Sequence, residues 1–154
     1  MEVTAQNQTE RFLTFYLGDE CYGVDIISVS EIIALMRTTK VPKSPNYLRG
    51  VMNLRGIIIP VVDMRTRFEM PLIEETMHTA IIIVRIAGSN IGFVVDRVEE
   101  VCIATGDQIS EPPSFGLEID ANYIKKMIRL ESGVVMVLDL NAIFNDDELS
   151  ELAS

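Results

Sequence analysis

The stretch 47-YLRGVMNLRGIIIPVVDMRTRF-68 is the part of the chain from which the rest can be read. Its apolar run, Ile57 to Val62, has strand length and is flanked by arginines on both sides. Side chains of a strand alternate between two faces, and here Ile57, Ile59 and Val61 take one face while Ile58 and Val62 take the other. A run apolar at both parities is expected to be buried on both. Pro60 offers no ladder donor, which places it at a bulge or a sheet edge.

Similar runs recur along the chain. "RFLTFYLGDECYGVDI" reads as a hairpin turning at Gly18-Asp19-Glu20, and "TAIIIVRIAGSNIGFVVDRV" as another turning at Gly88-Ser89-Asn90. "SGVVMVLDL" is a further strand. Short Ile/Val-rich runs separated by turn signals indicate an all-β domain. Two segments depart from this pattern. "SVSEIIALM" has Ser28 and Glu31 at capping-box spacing, followed by helically spaced apolar positions, and predicts a short amphipathic helix. "NAIFNDDELSELAS" predicts a C-terminal helix.

The chain also matches itself. A shift of 69 residues sets Gly23 on Gly92, Val29 on Val98, Glu31 on Glu100 and Ile32 on Val101. A shift of 76 sets "NYLRGV" (46 onward) on "NYIKKM" (122 onward), and a shift of 77 sets Gly56 on Gly133. Treating Pro60 as an insertion then aligns Asp63 with Asp139 and Phe68 with Phe144. Because these matches are collinear, a duplication is expected, with two similar β subdomains packed through the doubly apolar strands. The expected divisions are a flexible N-terminus (1–10), two subdomains (about 11–78 and 79–145, with a strand exchange allowed for) and an acidic tail with a helical end (146–154).

Composition narrows the function. A formal charge of -10 argues against a dedicated nucleic-acid binder. Residues 37–67 nevertheless hold seven basic side chains (Arg37, Lys40, Lys43, Arg49, Arg55, Arg65, Arg67) against the single acid Asp63. That segment is either a solvated face or a partner-facing patch, and it supports the competing reading of a β-barrel nucleic-acid-binding module. Cys21 and Cys102 lack metal-ligand spacing and are expected as buried reduced thiols. No apolar run approaches the ~18 residues of a membrane span, and the polar N-terminus lacks the pattern of a signal peptide. Enzyme chemistry has little to work with. The sole histidine, His78, lies in a polar linker, and no phosphate loop, HExxH or nucleophile elbow occurs. Asp63 and Asp139, at matching strand ends, fit turn or capping roles better than a catalytic pair. No metal or cofactor is expected.

The 47–68 stretch closely resembles the G-V-x-N-L-R-G-x-I-x-P-V-x-D-L-R signature of the CheW-type chemotaxis coupling proteins, and the two hairpin segments resemble that family's hairpins. The resemblance spans about residues 10 to 145. It implies a mostly β fold of two SH3-like five-stranded barrels with short helices, and a non-catalytic cytoplasmic adaptor at receptor arrays on the inner face of the membrane. The implied partners are the cytoplasmic tip of methyl-accepting chemoreceptors and the regulatory domain of the histidine kinase CheA, without nucleic acid or membrane insertion. The acidic tail soon after Phe144 looks like that of the stand-alone adaptor. Positions matching the family's receptor groove are Val29, Glu31, Ile32, Arg55, Val98 and Val101. Ala80 stands where the family often has a larger aliphatic. For the kinase, the candidates are Val41, Arg49 and Gly50. Arg55 is expected to pair with Glu31.

Overall fold

The computed structural model describes residues 9–112 and 120–153. Residues 1–8 of the expected flexible N-terminus lie outside them, whereas Thr9 and Glu10 already belong to the first strand, paired with Thr105 and Ala104. Among the described residues eleven strands form two sheets. One has the order β3 (Val29–Ala34), β6 (Ala80–Ile86), β7 (Ser89–Val95), β5 (Ile57–Asp63), β4 (Leu48–Leu54). The other runs β8 (Arg97–Thr105), β1 (Thr9–Leu17), β2 (Glu20–Asp25), β11 (Gly133–Leu138), β10 (Ile124–Leu130), β9 (Ile109–Ser110). Short helices α1 (Met64–Arg67) and α2 (Leu140–Ile143) follow β5 and β11, and α3 (Asp146–Ala153) forms the expected C-terminal helix.

The repeat is written in the strand register. Val29 faces Val84 and Ile32 faces Ile82; the positions 69 residues away face one another in the same way, Val98 to Phe15 and Val101 to Leu13. With a shift of 76, the β4–β5 pairs Leu48/Val62 and Leu54/Ile57 become the β10–β11 pairs Ile124/Leu138 and Leu130/Gly133. The register shift between Leu48 and Gly50 recurs between Ile124 and Lys126. The shift of 76 therefore holds throughout, and Pro60 is not an insertion; Gly56 corresponds to Ser132 and not to Gly133. Nor does Pro60 sit at an edge or a bulge. It faces Val51 in regular register within an internal strand, one residue before the parallel pairing of β5 with β7 begins at Val61.

The sheets do not divide at residue 78. Val29–Val95 builds one barrel from continuous chain, while the other takes its hairpin β1–β2 from the N-terminal end and β8–β11 from the C-terminal part. Relative to the sequence repeat, whole hairpins have changed places. Parallel pairing makes this joint: Val61 lies beside Gly92, and its counterpart Val137 beside Gly23. At Gly92 an added Cβ would lie 2.9 Å from Ile81 Cγ2, so the tight approach excludes a side chain.

Alternation along the strands sorts the apolar residues into three cores among the described residues. Ile81 and Ile83 join Met52, Ile59, Val61 and Val94 inside one barrel. Phe12, Cys102, Ala104, Ile128, Val135 and Val137 fill the other. The opposite parity, including Ile82, Val84, Leu13, Phe15, Val62 and Met136, forms the largest cluster, shared by both sheets. A strand apolar on both faces thus serves a barrel interior and the seam together, as Val61 and Val62 do. The expectation fails at the tip of β5. Ile57 and Ile58 are 58% and 60% exposed because the β4–β5 hairpin projects past the region paired with β7.

"SVSEIIALM" is not a helix. Only Ile26–Ser28 forms a 3-10 turn, and Val29–Ala34 continues as a strand with alternating half-buried and exposed residues. The β-branched Val29, Ile32 and Ile33 suit the pleat, and the Glu31 carboxylate is engaged by Arg55 instead of closing a cap. Asp63 and Asp139 do cap. Asp63 accepts from the backbone N–H of Arg65 and Thr66, and Asp139 accepts from that of Asn141.

Symmetry is also visible in the aromatic contacts at the seam. Tyr47 meets Phe144 at 5.7 Å, and the exchanged counterparts Phe68 and Tyr123 meet at 5.5 Å. Such reciprocal contacts are the mark of a two-fold interface. Arg67 lies between the halves, its guanidinium 4.8 Å from the Tyr47 ring centre and 5.6 Å from that of Tyr123.

Gly50 occupies a constrained place in β4. Its φ is +149°, and a Cβ would lie 2.5 Å from the Thr39 carbonyl oxygen. Because Thr39 and Val51 exchange backbone hydrogen bonds there, Gly50→Ala is expected to cost about 1–3 kcal/mol. Urea denaturation measures it; an unchanged midpoint would show that the segment at Thr39, bridged to Val51, yields freely.

Candidate docking surface

β3 and β8 are edge strands of the two sheets and occupy matching places in the repeat. Both show aliphatic side chains to solvent: Ile32 on β3, and Val101 and Ile103 on β8. Val29 and Val98, also repeat partners, are half-buried and pack on the central seam. An unpaired strand edge is a template for another chain unless something blocks it, so these edges and the seam between them make up the most receptive surface described.

A built ion pair marks the β3 side. Arg55 and Gly56 turn the β4–β5 hairpin, both with positive φ (52° and 89°), and Gly56 N–H donates to Asn53 Oδ1 at 2.8 Å. That tight turn carries the Arg55 fork to Glu31, where Nη1 donates to Oε1 at 3.1 Å and Nη2 to Oε2 at 2.5 Å. The donated hydrogen bonds hold the Glu31 carboxyl below its ordinary range. Since β3 and β4 are opposite ends of the five-stranded order, the pair links the two edges of that sheet. Exposed Ile32 and Ile57 flank it in the chain.

The other candidate residues are distributed unevenly. Ala80 is half-buried and faces Ala34 across the β3–β6 ladder. Val41 is partly exposed. Arg49 is half-buried and pairs with Glu75 of the linker, with Asp63 at 3.8 Å. Gly50 is buried, so its part is to shape the chain beside Thr39 and not to present a contact. The basic stretch 37–67 is largely neutralised. Arg49, Arg55, Arg65 and Arg67 all engage carboxylates, which leaves Arg37, Lys40 and Lys43 and removes the phosphate-binding stripe that a nucleic-acid reading needs.

Sequence reasoning did not anticipate the other pairs. Arg65 is buried and donates to Asp96 through Nε at 2.8 Å and Nη2 at 2.6 Å, while its Nη1 donates to Pro71 O at 2.8 Å. Asp96 also accepts from Gly18 N–H at 2.7 Å. An arginine five residues after an internal proline gives no linear hint of a carboxylate that lies across the repeat boundary. Exposed Ile103 is likewise not signalled, since periodicity does not distinguish an edge from a central strand. His78 lies in a turn, its backbone N–H donating to Thr76 Oγ1. Among the described residues no three His, Cys, Asp or Glu side chains are placed to hold a metal, and no helix is long and apolar enough to cross a membrane.

Two barrels joined through a shared apolar seam, with aliphatic edges and a surface ion pair as their exposed chemistry, define a double-barrel β module of the SH3-like kind. The family model described as CheW-like domain matches residues 11–148, and the chain belongs to that family. Chemotaxis proteins CheW from Treponema pallidum (32% identical, covering 94% of this chain and 87% of that one) and Bacillus subtilis (31%, covering 98% and 97%) are similar to it. A crystal structure of scaffolding protein TtCheW from Thermoanaerobacter tengcongensis superposes with a TM-score of 0.84 at 31% identity, covering 92% of this chain and 96% of that one.

Proposed function

We propose that this protein is a non-catalytic chemotaxis adaptor that couples the cytoplasmic tip of transmembrane chemoreceptors to the histidine kinase CheA. Support comes from its family, from relatives named as chemotaxis and scaffolding proteins, and above all from the Glu31–Arg55 pair set on an exposed aliphatic edge. In this reading Val29, Glu31, Ile32, Arg55, Ala80, Val98 and Val101 border the receptor groove, where an amphipathic helical hairpin lays its apolar face. The kinase regulatory domain, a similar barrel, takes the end of the barrel near Val41 and Arg49, with Gly50 setting the backbone there. The adaptor acts by holding two partners at once at receptor arrays on the cytoplasmic side of the membrane.

Reconstitution tests this directly. Receptor fragments and kinase are combined with and without the protein, and autophosphorylation is measured; stimulation only in the three-component mixture is expected, and equal rates would refute the reading. A charge exchange tests the site. Glu31→Arg is expected to weaken receptor binding about tenfold. The double variant with Arg55→Glu should recover most of it, since the fork is rebuilt in reverse. Equal losses in the single and double variants would mean that the pair does not shape the groove.

A further inference from the structure

The two barrels differ where the repeat would make them alike. Glu31 corresponds to Glu100 through the shift of 69, and Arg55 to Glu131 through the shift of 76. Where one barrel joins its edges with an acid and an arginine, the other carries two acids at the matching places. Between the β8 edge and the β10–β11 hairpin lies a cavity of about 220 Å³. Glu99, Glu100 and Cys102 line one side, and Leu130 and Ser132, the neighbours of Glu131, line the other. Neither Glu100 nor Glu131 has a salt-bridge partner among the described residues; Glu99 is 3.4 Å from Arg97, which stacks over Tyr16.

The floor of the cavity feels this charge. Cys102 is buried, and no hydrogen bond from its thiol occurs among the described residues. Burial first and the Glu100 carboxylate second push that thiol up, while Cys21 is raised to about 11 by burial and then by Glu99. Leu130 and exposed Val134, which also line the cavity, give it an aliphatic rim. An unpartnered strand edge, negative charge and an apolar rim together specify a complement that is cationic at its tip and apolar along its stem.

We propose that the mouth of this second barrel is a docking site for an arginine of a partner protein, flanked by aliphatic residues, which supplies in trans the guanidinium that Arg55 supplies in cis to the first barrel. Guanidinium is favoured over ammonium because its planar fork can donate at once to a carboxylate on β8 and one in the β10–β11 turn, and its stem lies well on an apolar rim. This site adjoins the receptor groove along β8 but is formed with the β10–β11 hairpin, and its test needs no receptor.

The probe is the tripeptide acetyl-Val-Arg-Val-amide, with its citrulline analogue as the neutral isostere, titrated into the isotope-labelled full chain and followed by backbone amide shifts. Saturable shifts are expected at residues 99–103 and 130–135, weakening as salt is added and absent with citrulline. Glu131→Arg is expected to reduce affinity at least about tenfold, and Glu100→Gln to reduce it less, with both variants keeping the wild-type pattern of dispersed amide signals. Equal shifts with citrulline, undiminished binding by Glu131→Arg, shifts confined to residues 29–34, or no shifts at all would each overturn the proposal. A failure here leaves kinase stimulation by the adaptor untouched, and a failure of stimulation leaves this titration readable.

Discussion

Asp96→Ala is expected to destabilise the fold by about 3–5 kcal/mol, because it strands a buried guanidinium without its carboxylate. For a chain of this size that lowers the melting temperature by roughly 10 °C. The loss would be widespread, since Asp96 and Arg65 together tie α1, the end of β7, the first hairpin at Gly18 and the linker at Pro71. The pair also sets an acid limit. Burial works to raise the Asp96 carboxyl, but the hydrogen bonds from Arg65 and Gly18 prevail and hold it below the ordinary aspartate range. A carboxyl depressed in the folded state contributes fully above its unfolded pKa and loses that contribution as pH falls through the folded value. The stability difference between wild type and Asp96→Asn should therefore be constant near neutrality and shrink below about pH 4. Denaturant titrations from pH 7 to 3 measure it, and a difference that grows in acid would exclude this account of the pair.

Arg67→Ala has the second largest expected effect, about 3–4 kcal/mol. Its guanidinium stacks on Tyr47, Tyr123 and Phe144, donates to Ile143 O, and pairs with Glu148 at 3.0 Å. Glu148 and Asn145 cap each other at the start of α3 through bonds of 2.9 and 2.8 Å. Loss of the arginine should therefore release α3 from the seam as well as weaken the joint between barrels. Amide exchange across Asp146–Leu152 should rise well before global unfolding. Arg67→Lys should restore less than half of the loss, since an ammonium keeps the charge but neither stacks nor forks. Full rescue by lysine would mean that charge alone matters at this position.

Strands and duplication were legible because they depend on local patterns: alternation at Ile81–Val84, glycines at Gly23 and Gly92, and capping aspartates at Asp63 and Asp139. The Glu31–Arg55 pair could be anticipated from the resemblance joined to the chemistry of an arginine beside apolar strands. What failed was decided by non-local pairing. Ser28 and Glu31 have helical spacing, yet β6 offers the segment a ladder that a lone turn of helix cannot match. Pro60 looks like an interruption until the register shows it ahead of its parallel neighbour. The exchange of hairpins leaves no composition signal, since β1–β2 and β6–β7 are interchangeable in pattern and only the assembled sheets show which barrel each completes. Arg65 and Asp96 find each other for the same reason, through the fold alone.

The most direct test of the adaptor reading is hydrogen exchange of the full chain with and without a soluble chemoreceptor hairpin tip. The account predicts protection along both β3 and β8, residues 29–34 and 98–103, together with the Arg55 turn. Protection confined to residues 37–50, or none on either edge strand at saturating receptor, would contradict it.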